Sequence, residues 1–345
     1  MQAAYSVRDT PFFLLAGCQD ITFLLKPMRL PPSIITAFYN VENLFDTNDE
    51  PLKNDDDFLP GSRLQWSDCR YMEKLENIAT SLSSIQADHL PAIIGLAEIE
   101  NRTVLQDLIT QPVFKGKYEM VHYDSPDRRG IDVALLYDKT LFSVQSKERI
   151  TVRLDGEAQN PTRDILYVKG TFDGEQSLHF FVNHWPSRRE GTNITMPRRI
   201  TAAQQLYGKA MEILNSDAMA KILIMGDFND LPVSRSIAVH LNSRAHRGIK
   251  FDEFYNLAHI PYKRKVGSVF ARNRWLMFDQ MLVSRGMMQG EGVKVTASRL
   301  TVHFDKKILF WDKGRSMYRP NRSYTGKKYH GGFSDHLPVY VQLHL

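Results

Sequence analysis

The sequence predicts an α/β fold in which β-sheets pack on each other and helices cover them from outside. Short apolar runs rich in β-branched and aromatic residues dominate the chain, and they are bounded by Gly, Pro, Asn or Asp. Two stretches have helical spacing, and several strand-like runs are apolar throughout, which is typical of strands covered on both faces. The 345 residues are 43% hydrophobic and 24% charged, so the chain can bury a sizeable core.

The strand-like runs are spread over the whole chain. In chain order they are IITAFYN (34–40), AIIGLAEI (92–99), YEMVHY (118–123), IDVALLY (131–137), ILYVKGTF (165–172), LHFFVNH (178–184), KILIMGD (221–227), FDQMLVS (278–284) and LPVYVQL (337–343). Apolar residues recur at the spacing of one helix face in residues 67–86, where Ser67 is placed to cap the helix. The same spacing predicts a second helix over residues 198–215.

One domain is predicted over residues 34–345, because no repeat, low-complexity tract or linker divides the chain. Residues 1–33 form a leader that is either disordered or signal-like. Leu15–Cys18 resembles a bacterial lipoprotein cleavage box, but its apolar run is shorter than the roughly 7–15 residues of a signal core. The sequence therefore favours a cytoplasmic protein, with secretion or lipid anchoring at Cys18 as the alternative.

Charge and cysteine usage narrow the class of partner. The net charge of +5 favours a polyanion such as nucleic acid, a phosphorylated ligand or a membrane surface. Cys18 and Cys69 are too few and too far apart for a disulfide framework or a zinc knuckle. No apolar run approaches the roughly 20 residues that a membrane-spanning helix needs.

Polar residues of a restricted kind lie at or near the ends of several predicted strands. They are Asn40, Glu42, Glu98, His184, Asp227, Asn229, Asp279, Asp335 and His336. Each has a structural explanation when it is taken alone: Asp227 and Asn229 can cap a helix near Leu231, and Glu98 can pair with Arg102. Together they supply carboxylates, amides and imidazoles without a thiol, and that donor set suits Mg²⁺ or Mn²⁺ better than zinc.

The order of these motifs resembles the endonuclease/exonuclease/phosphatase superfamily. The resemblance rests on Asn-x-Glu at 40–42, Glu98, Gly-Asp-x-Asn at 226–229 and Ser-Asp-His at 334–336. It implies a four-layer α/β sandwich with two mainly antiparallel sheets packed face to face, helices outside, and the site at one sheet edge.

The resemblance also implies a role for each residue. Glu98 would be the principal metal carboxylate, and Asn40, Glu42 and Asp335 would complete the metal environment. Asp227 would bind or deprotonate the attacking water, and Asn229 would hold a phosphoryl oxygen. His336 would contact the phosphate and assist proton transfer, oriented by Asp279. His184 stands where deoxyribonucleases and phosphatases of the superfamily have histidine and apurinic endonucleases have tyrosine, which counts against repair of abasic sites.

Basic residues near these motifs suit a phosphate substrate. Arg129 and Arg188 lie next to predicted site strands, and we predict that they clamp phosphate. Residues 306–328 contain eight Lys or Arg and one acid, with Phe310, Trp311, Tyr318 and Tyr324 interleaved. This segment is either a surface for nucleic-acid backbone and bases or a hairpin whose aromatic side chains pack inward.

The leading functional hypothesis is a Mg²⁺- or Mn²⁺-dependent phosphodiester hydrolase, a nuclease that cleaves DNA or RNA by in-line attack of water. The first alternative is a phosphatase or phosphodiesterase acting on inositol phosphates or phospholipid head groups, since the same core serves both. The second is a catalytically silent nucleic-acid-binding module. Sequence alone does not fix cleavage mode or oligomeric state.

Overall fold

The computed structural model describes residues 30–345, except residue 88, residues 155–160, residue 173 and residue 175. Residues 1–29 of the predicted leader, including Leu15–Cys18, lie outside this range. The first strand begins at Ser33, one residue before the predicted start of the domain.

The described residues form twenty strands and five α-helices. The strands are β1 (Ser33–Leu44), β2 (Ile93–Ile99), β3 (Tyr118–His122), β4 (Asp132–Asp138), β5 (Ser143–Ile150), β6 (Ile165–Thr171), β7 (Leu178–His184), β8 (Lys221–Asp227), β9 (Ser243–Arg244), β10 (Phe254–Asn256), β11 (Val269–Ala271), β12 (Arg274–Leu276), β13 (Asp279–Val283), β14 (Lys294–Val295), β15 (Thr301–Val302), β16 (Leu309–Asp312), β17 (Met317–Pro320), β18 (Tyr324–Thr325), β19 (Lys328–Tyr329) and β20 (Val339–His344). The helices are α1 (Asp68–Ser83), α2 (Arg102–Ile109), α3 (Thr192–Ser216), α4 (His259–Lys263) and α5 (Arg285–Gln289).

Two sheets carry most of these strands. The first has the order β14-β20-β1-β2-β4-β3, with β15 also paired to β20, and the second has the order β5-β6-β7-β8-β13-β10-β9. Most neighbours are antiparallel, whereas β1 and β2, β7 and β8, and β9 and β10 run parallel. Three two-stranded hairpins, β11–β12, β16–β17 and β18–β19, stand apart from both sheets.

Three hydrophobic clusters separate four layers. The largest lies between the sheets and includes Phe38, Phe180 and Met225. A second joins the first sheet to α1 and α2, and a third joins the second sheet to α3. The predicted four-layer sandwich is therefore confirmed. Within the part of the chain that the structure describes, no helix is both long and apolar enough to span a membrane.

Some elements differ from the prediction. Strand β5 and helix α2 were not predicted, and α3 begins at Thr192 rather than at residue 198 and runs through Pro197. Ser67 occupies the N-cap position of α1 as predicted, but its side chain makes no capping hydrogen bond.

Candidate active site

Three predicted site residues form one row at the end of the second sheet. Parallel strands β7 and β8 end together, so that His184 lies opposite Asp227, and antiparallel β13 begins with Asp279 on the other side of Asp227. Each of the three residues is almost fully buried. Because β7 and β8 are buried along their whole length, the row is held in a fixed geometry.

The first sheet contributes carboxylates through irregular strand ends. Asn40 pairs with Ala97 across β1 and β2, and the register shifts immediately after both residues. Glu42 and Glu98 adopt left-handed backbone angles there, with φ of 55° and 65°. Asn229 in the loop after β8 has φ 48°. Such angles cost about 1–3 kcal/mol in residues other than glycine and recur at functional sites.

These sheet ends enclose a cleft of about 350 Å³. Nine of the predicted site residues line it: Glu42, Glu98, Arg129, His184, Arg188, Asp227, Asn229, Asp335 and His336. The other two, Asn40 and Asp279, are buried and bond to lining residues. Residues up to 296 positions apart in the sequence thus meet in one place.

Asp227 is the most connected carboxylate of the cleft. Its Oδ1 accepts a hydrogen bond from the Asn229 N–H at 2.8 Å, and its Oδ2 accepts one from Asn40 Nδ2 at 3.2 Å. The Nε2 atoms of His184 and His336 both lie 3.7 Å from the same Oδ2. Asp227 is therefore fixed between two imidazoles, with amide donors that hold its orientation.

His336 is backed by a buried carboxylate. Its Nδ1 lies 2.7 Å from Asp279 Oδ2, and that oxygen also accepts a hydrogen bond from the Ser268 hydroxyl. Ser334, the first residue of the Ser-Asp-His motif, donates to Asn40 O at 2.7 Å and accepts from the His336 N–H at 3.0 Å. Ser334 thus links the segment that precedes β20 to Asn40 of β1.

The pKa values of the two histidines are shifted in opposite directions. Burial lowers the pKa of His184 well below its usual value, and Arg163 and Arg129 add to that shift. Burial also opposes the charge of His336, but Asp279, with Asp227 and Asp335, outweighs it and raises the pKa of His336 well above its usual value. Burial raises the pKa of Asp227 to about 7, against the opposing effect of His336. The cleft therefore holds a neutral imidazole, a cationic imidazole and a carboxyl group whose pKa is close to neutral pH.

The remaining carboxylates fit a hard divalent cation. Glu98 accepts a hydrogen bond from the Asn43 N–H at 3.0 Å through one oxygen only, and Glu42 and Asp335 line the same cleft. Its described lining contains no cysteine, so the donors are oxygen and imidazole, which suits Mg²⁺ or Mn²⁺. The ligand atoms of Asp227, Asp279 and His336 also lie within 4.8 Å of one another, but His336 Nδ1 is already bonded to Asp279.

Two cations that the sequence did not reveal, Arg322 and Lys74, favour the charged form of Glu42. Arg322 lies 3.2 Å from Glu42 and 3.0 Å from Asp335, bridging both carboxylates. Lys74 of α1 is buried behind the site, where its ammonium donates to Ser323 Oγ at 2.8 Å and to Phe333 O at 2.7 Å. The position of Lys74 on the apolar face of the predicted helix was an available signal for a buried lysine.

The two arginines predicted to clamp phosphate have different surroundings. Arg129 donates to Asn43 Oδ1 at 2.9 Å and lies 3.9 Å from Glu98. Arg188 donates to Asn229 O at 2.6 Å and is ion-paired with Asp230, so much of its guanidinium is engaged in the loop after β8.

Further arginines complete the rim of the cleft. Arg189, Arg272 and Arg274 line it and are exposed. Among the described residues none of the three has an ion-pair partner, so they are the available cations of the cleft. Spacing alone could not separate Arg189 from its neighbour Arg188, because the choice depends on Asp230.

Comparisons with known proteins agree with this architecture. A model of the Endonuclease/Exonuclease/phosphatase family matches residues 35–345. No curated protein matches the chain. Similar solved structures include truncated Caenorhabditis elegans TDP2 (16% identity, TM-score 0.55, 91% of this chain and 98% of that chain). The human Nocturnin catalytic domain with bound sulfate (15%, 0.53, 91% and 95%) and D. rerio TDP2 complexed with a single-strand DNA product (14%, 0.53, 91% and 100%) are also similar. At these identities the likeness concerns the fold.

Proposed function

The chain belongs to the endonuclease/exonuclease/phosphatase family, and from that premise we propose that it is a Mg²⁺- or Mn²⁺-dependent nuclease. The reaction would be hydrolysis of a DNA or RNA phosphodiester by in-line attack of water. One observation carries the proposal: Asp227 and His336, which Asp279 supports from behind, face a cleft with acidic oxygen donors. The same cleft holds arginines that have no ion-pair partner among the described residues.

Asp227 and His336 are suited to the two proton transfers. Asp227 would orient the attacking water and accept its proton, because Asn40 and Asn229 fix the carboxylate. A pKa of about 7 is close to the value at which a general base works best near neutral pH. His336, held in its cationic form by Asp279, would contact the phosphate and supply a proton to the leaving oxygen.

The remaining site residues would bind charge. Glu98 would be the principal ligand of the cation, with Asn40, Glu42 and Asp335 completing its surroundings. When bound, the cation polarises a phosphoryl oxygen and stabilises developing negative charge. Asn229 keeps one amide hydrogen beyond its bond to Trp185 O and would hold a phosphoryl oxygen, as would His184. Arg129, Arg188 and the rim arginines would attract the substrate.

A polynucleotide substrate is supported by charge and by fold. The net charge of +5 and an exposed arginine rim favour a polyanion. The D. rerio TDP2 structure, which has a similar fold, contains a single-strand DNA product.

The proposal is tested by metal-dependent cleavage. Purified protein is incubated with supercoiled plasmid, single-stranded DNA and RNA, with Mg²⁺ or Mn²⁺ and with EDTA. We expect nicking that EDTA abolishes and that His336→Ala reduces by at least 10²-fold. His246→Ala, at an exposed position, is the matched control. Cleavage that survives in His336→Ala would contradict the assignment.

A second candidate is hydrolysis of a small, multiply phosphorylated ester, such as an inositol phosphate or a phospholipid head group. Three arginines around one cleft, none with an ion-pair partner in the described part of the chain, favour it, because they could bind several phosphates at once. Phosphate release from inositol phosphates without cleavage of DNA or RNA would select this function. A silent nucleic-acid-binding module would form no product, and Asp227→Asn would then change nothing measurable in the assay.

A further inference from the structure

A second cavity adjoins the catalytic cleft, and we propose that it binds the nucleobase next to the scissile phosphate. This inference rests on the proposed function. The cavity has a volume of about 500 Å³, and Arg322 and Asp335 line both it and the cleft. A ligand with its phosphate among the cleft arginines can therefore extend into the cavity past Arg322.

One wall of the cavity is flat and aromatic. Hairpin β16–β17 pairs Phe310 with Arg319, so these side chains project to the same face of the hairpin. The Arg319 guanidinium lies 4.9 Å from the Phe310 ring centroid and 5.3 Å from that of Phe270 in β11. Its Nε lies 2.8 Å from Asp312, which holds it in place. A planar ring can stack against this rigid surface.

The other wall carries unused polar groups. Asn321, Thr325, Lys328 and His330 line it. None of these side chains has a hydrogen bond or ion pair to another residue in the described part of the chain. They supply donors and acceptors that can meet the edge of a base, whereas the aromatic wall meets its face.

The charges of the cavity argue against a second phosphate as its occupant. Arg319 is paired with Asp312, and Arg322 is paired with Glu42 and Asp335. Lys328 is the one lysine among the cavity's described lining residues, and no described carboxylate pairs with it. An uncharged aromatic group fits such a site better than an anion, and in a phosphodiester of nucleic acid that group is the base.

The test compares two phosphodiesters with the same leaving group. Thymidine 5′-(p-nitrophenyl) phosphate carries a base, and methyl p-nitrophenyl phosphate does not. We expect the wild-type kcat/KM to be at least tenfold higher for the thymidine ester. Phe310→Ala is expected to remove about tenfold of this preference through KM, while the rate on the methyl ester stays within twofold. A single-stranded DNA hexamer distinguishes a base within a polynucleotide from that of a free nucleotide ester.

Two further variants protect the test from misfolding artefacts. Thr325→Trp, at an exposed position, fills the cavity from outside and is expected to lower the same preference. Phe251→Ala removes a phenylalanine that is 41% exposed and lies outside both cavities, and it is expected to leave the preference unchanged. The melting temperature of each variant reports its folding.

The outcomes separate the two proposals. Equal hydrolysis of both esters, with no effect of Phe310→Ala or Thr325→Trp, overturns the base site and leaves the phosphodiesterase proposal standing. Failure to hydrolyse either ester or the hexamer overturns the nuclease proposal, and the base site with it. If Phe310→Ala and Thr325→Trp lower kcat/KM on both the hexamer and the thymidine ester, the cavity binds a base within a polynucleotide. If the two variants lower kcat/KM on the thymidine ester alone, the cavity binds the base of a free nucleotide ester.

Discussion

At the scale of single residues, the imidazole of His336 depends on the carboxylate behind it. Asp279 contacts its Nδ1 at 2.7 Å and is itself anchored by Ser268. The pair is buried, so water cannot replace the missing partner if either residue is changed. The protonation state of His336 is therefore a property of the pair.

Replacing Asp279 with Asn makes this dependence measurable. Asp279 holds the pKa of His336 well above its usual value, so the wild type keeps its cationic acid as pH rises past neutrality. In Asp279→Asn, only the more distant carboxylates Asp227 and Asp335 oppose the effect of burial on the pKa of His336. We expect activity about 10²–10⁴-fold lower and falling further as pH rises toward neutrality. The measurement is kcat/KM against pH. Asp57→Asn, which breaks only an exposed ion pair with Arg63, is expected to match the wild type.

Backbone strain at Glu98 separates stability from activity. At φ 65° any residue with a Cβ is disfavoured, and glycine is not. We expect both Glu98→Ala and Glu98→Gly to lose at least 10²-fold in activity, because each removes the predicted metal carboxylate. Urea denaturation is expected to show Glu98→Gly more stable than Glu98→Ala by about 1 kcal/mol. Equal stability of the two variants would show that the position is not strained.

At the scale of elements, the backbone of Gly95 in β2 packs directly against a side chain of the second sheet. A Cβ at this position would lie 2.5 Å from Met225 Sδ of β8. Any side chain there must displace a buried methionine in the layer between the sheets. This packing of β2 on β8 lies next to the strand ends that carry Glu98 and Asp227.

Gly95→Ala is therefore expected to lower the free energy of unfolding by about 1–3 kcal/mol through overpacking. In a Met225→Ala background the same substitution is expected to cost less, because the methionine side chain is gone. Gly208→Ala is the control: nothing lies within 4 Å of its added Cβ in α3, so it is expected to stabilise by about 0.5–1 kcal/mol. Denaturant melts of the four variants and the wild type decide the matter. Equal costs of Gly95→Ala in both backgrounds would rule out the Met225 contact.

The secondary-structure elements also show which features the sequence pattern predicted and which it missed. Every predicted strand is formed, because each contains an apolar run that the folded chain buries. Strand β5 was missed because it is exposed over most of its length and shows no alternation. The start of α3 was missed because Pro197 signals a helix boundary, whereas here the helix continues through it.

At the scale of the whole molecule, the cleft gathers four carboxylates: Glu42, Glu98, Asp227 and Asp335. Their mutual repulsion favours binding of a divalent cation by the folded chain. We expect Mg²⁺ or Mn²⁺ to raise the melting temperature, by an amount equivalent to about 2.7 kcal/mol at a hundredfold excess over Kd. Glu98→Gln keeps the shape and loses the charge, so its shift is expected to be much smaller. An equal shift in that variant would place the cation elsewhere.

The predicted site illustrates what order along a chain can and cannot reveal. All eleven predicted residues lie in or directly beneath one cleft, because the ends of neighbouring strands meet at one edge of the sandwich. Ser268, Lys74 and Arg322 were not predicted, because their importance comes from interactions that only the folded chain creates. Ser268 and Arg322 contact Asp279, Glu42 and Asp335, and Lys74 interacts electrostatically with Glu42. The chemical roles of the eleven residues stay predictions until the variants are measured.

Arg322, which bridges Glu42 and Asp335, has a practical consequence for anyone handling the protein. A guanidinium between these acids acts as an internal counter-ion, so the acidic centre is already partly neutralised before any cation arrives. We therefore expect preparations stripped with chelating agents to stay folded during storage and to recover fully on dialysis against magnesium salts. Replacing Arg322 by an uncharged residue would make that tolerance disappear.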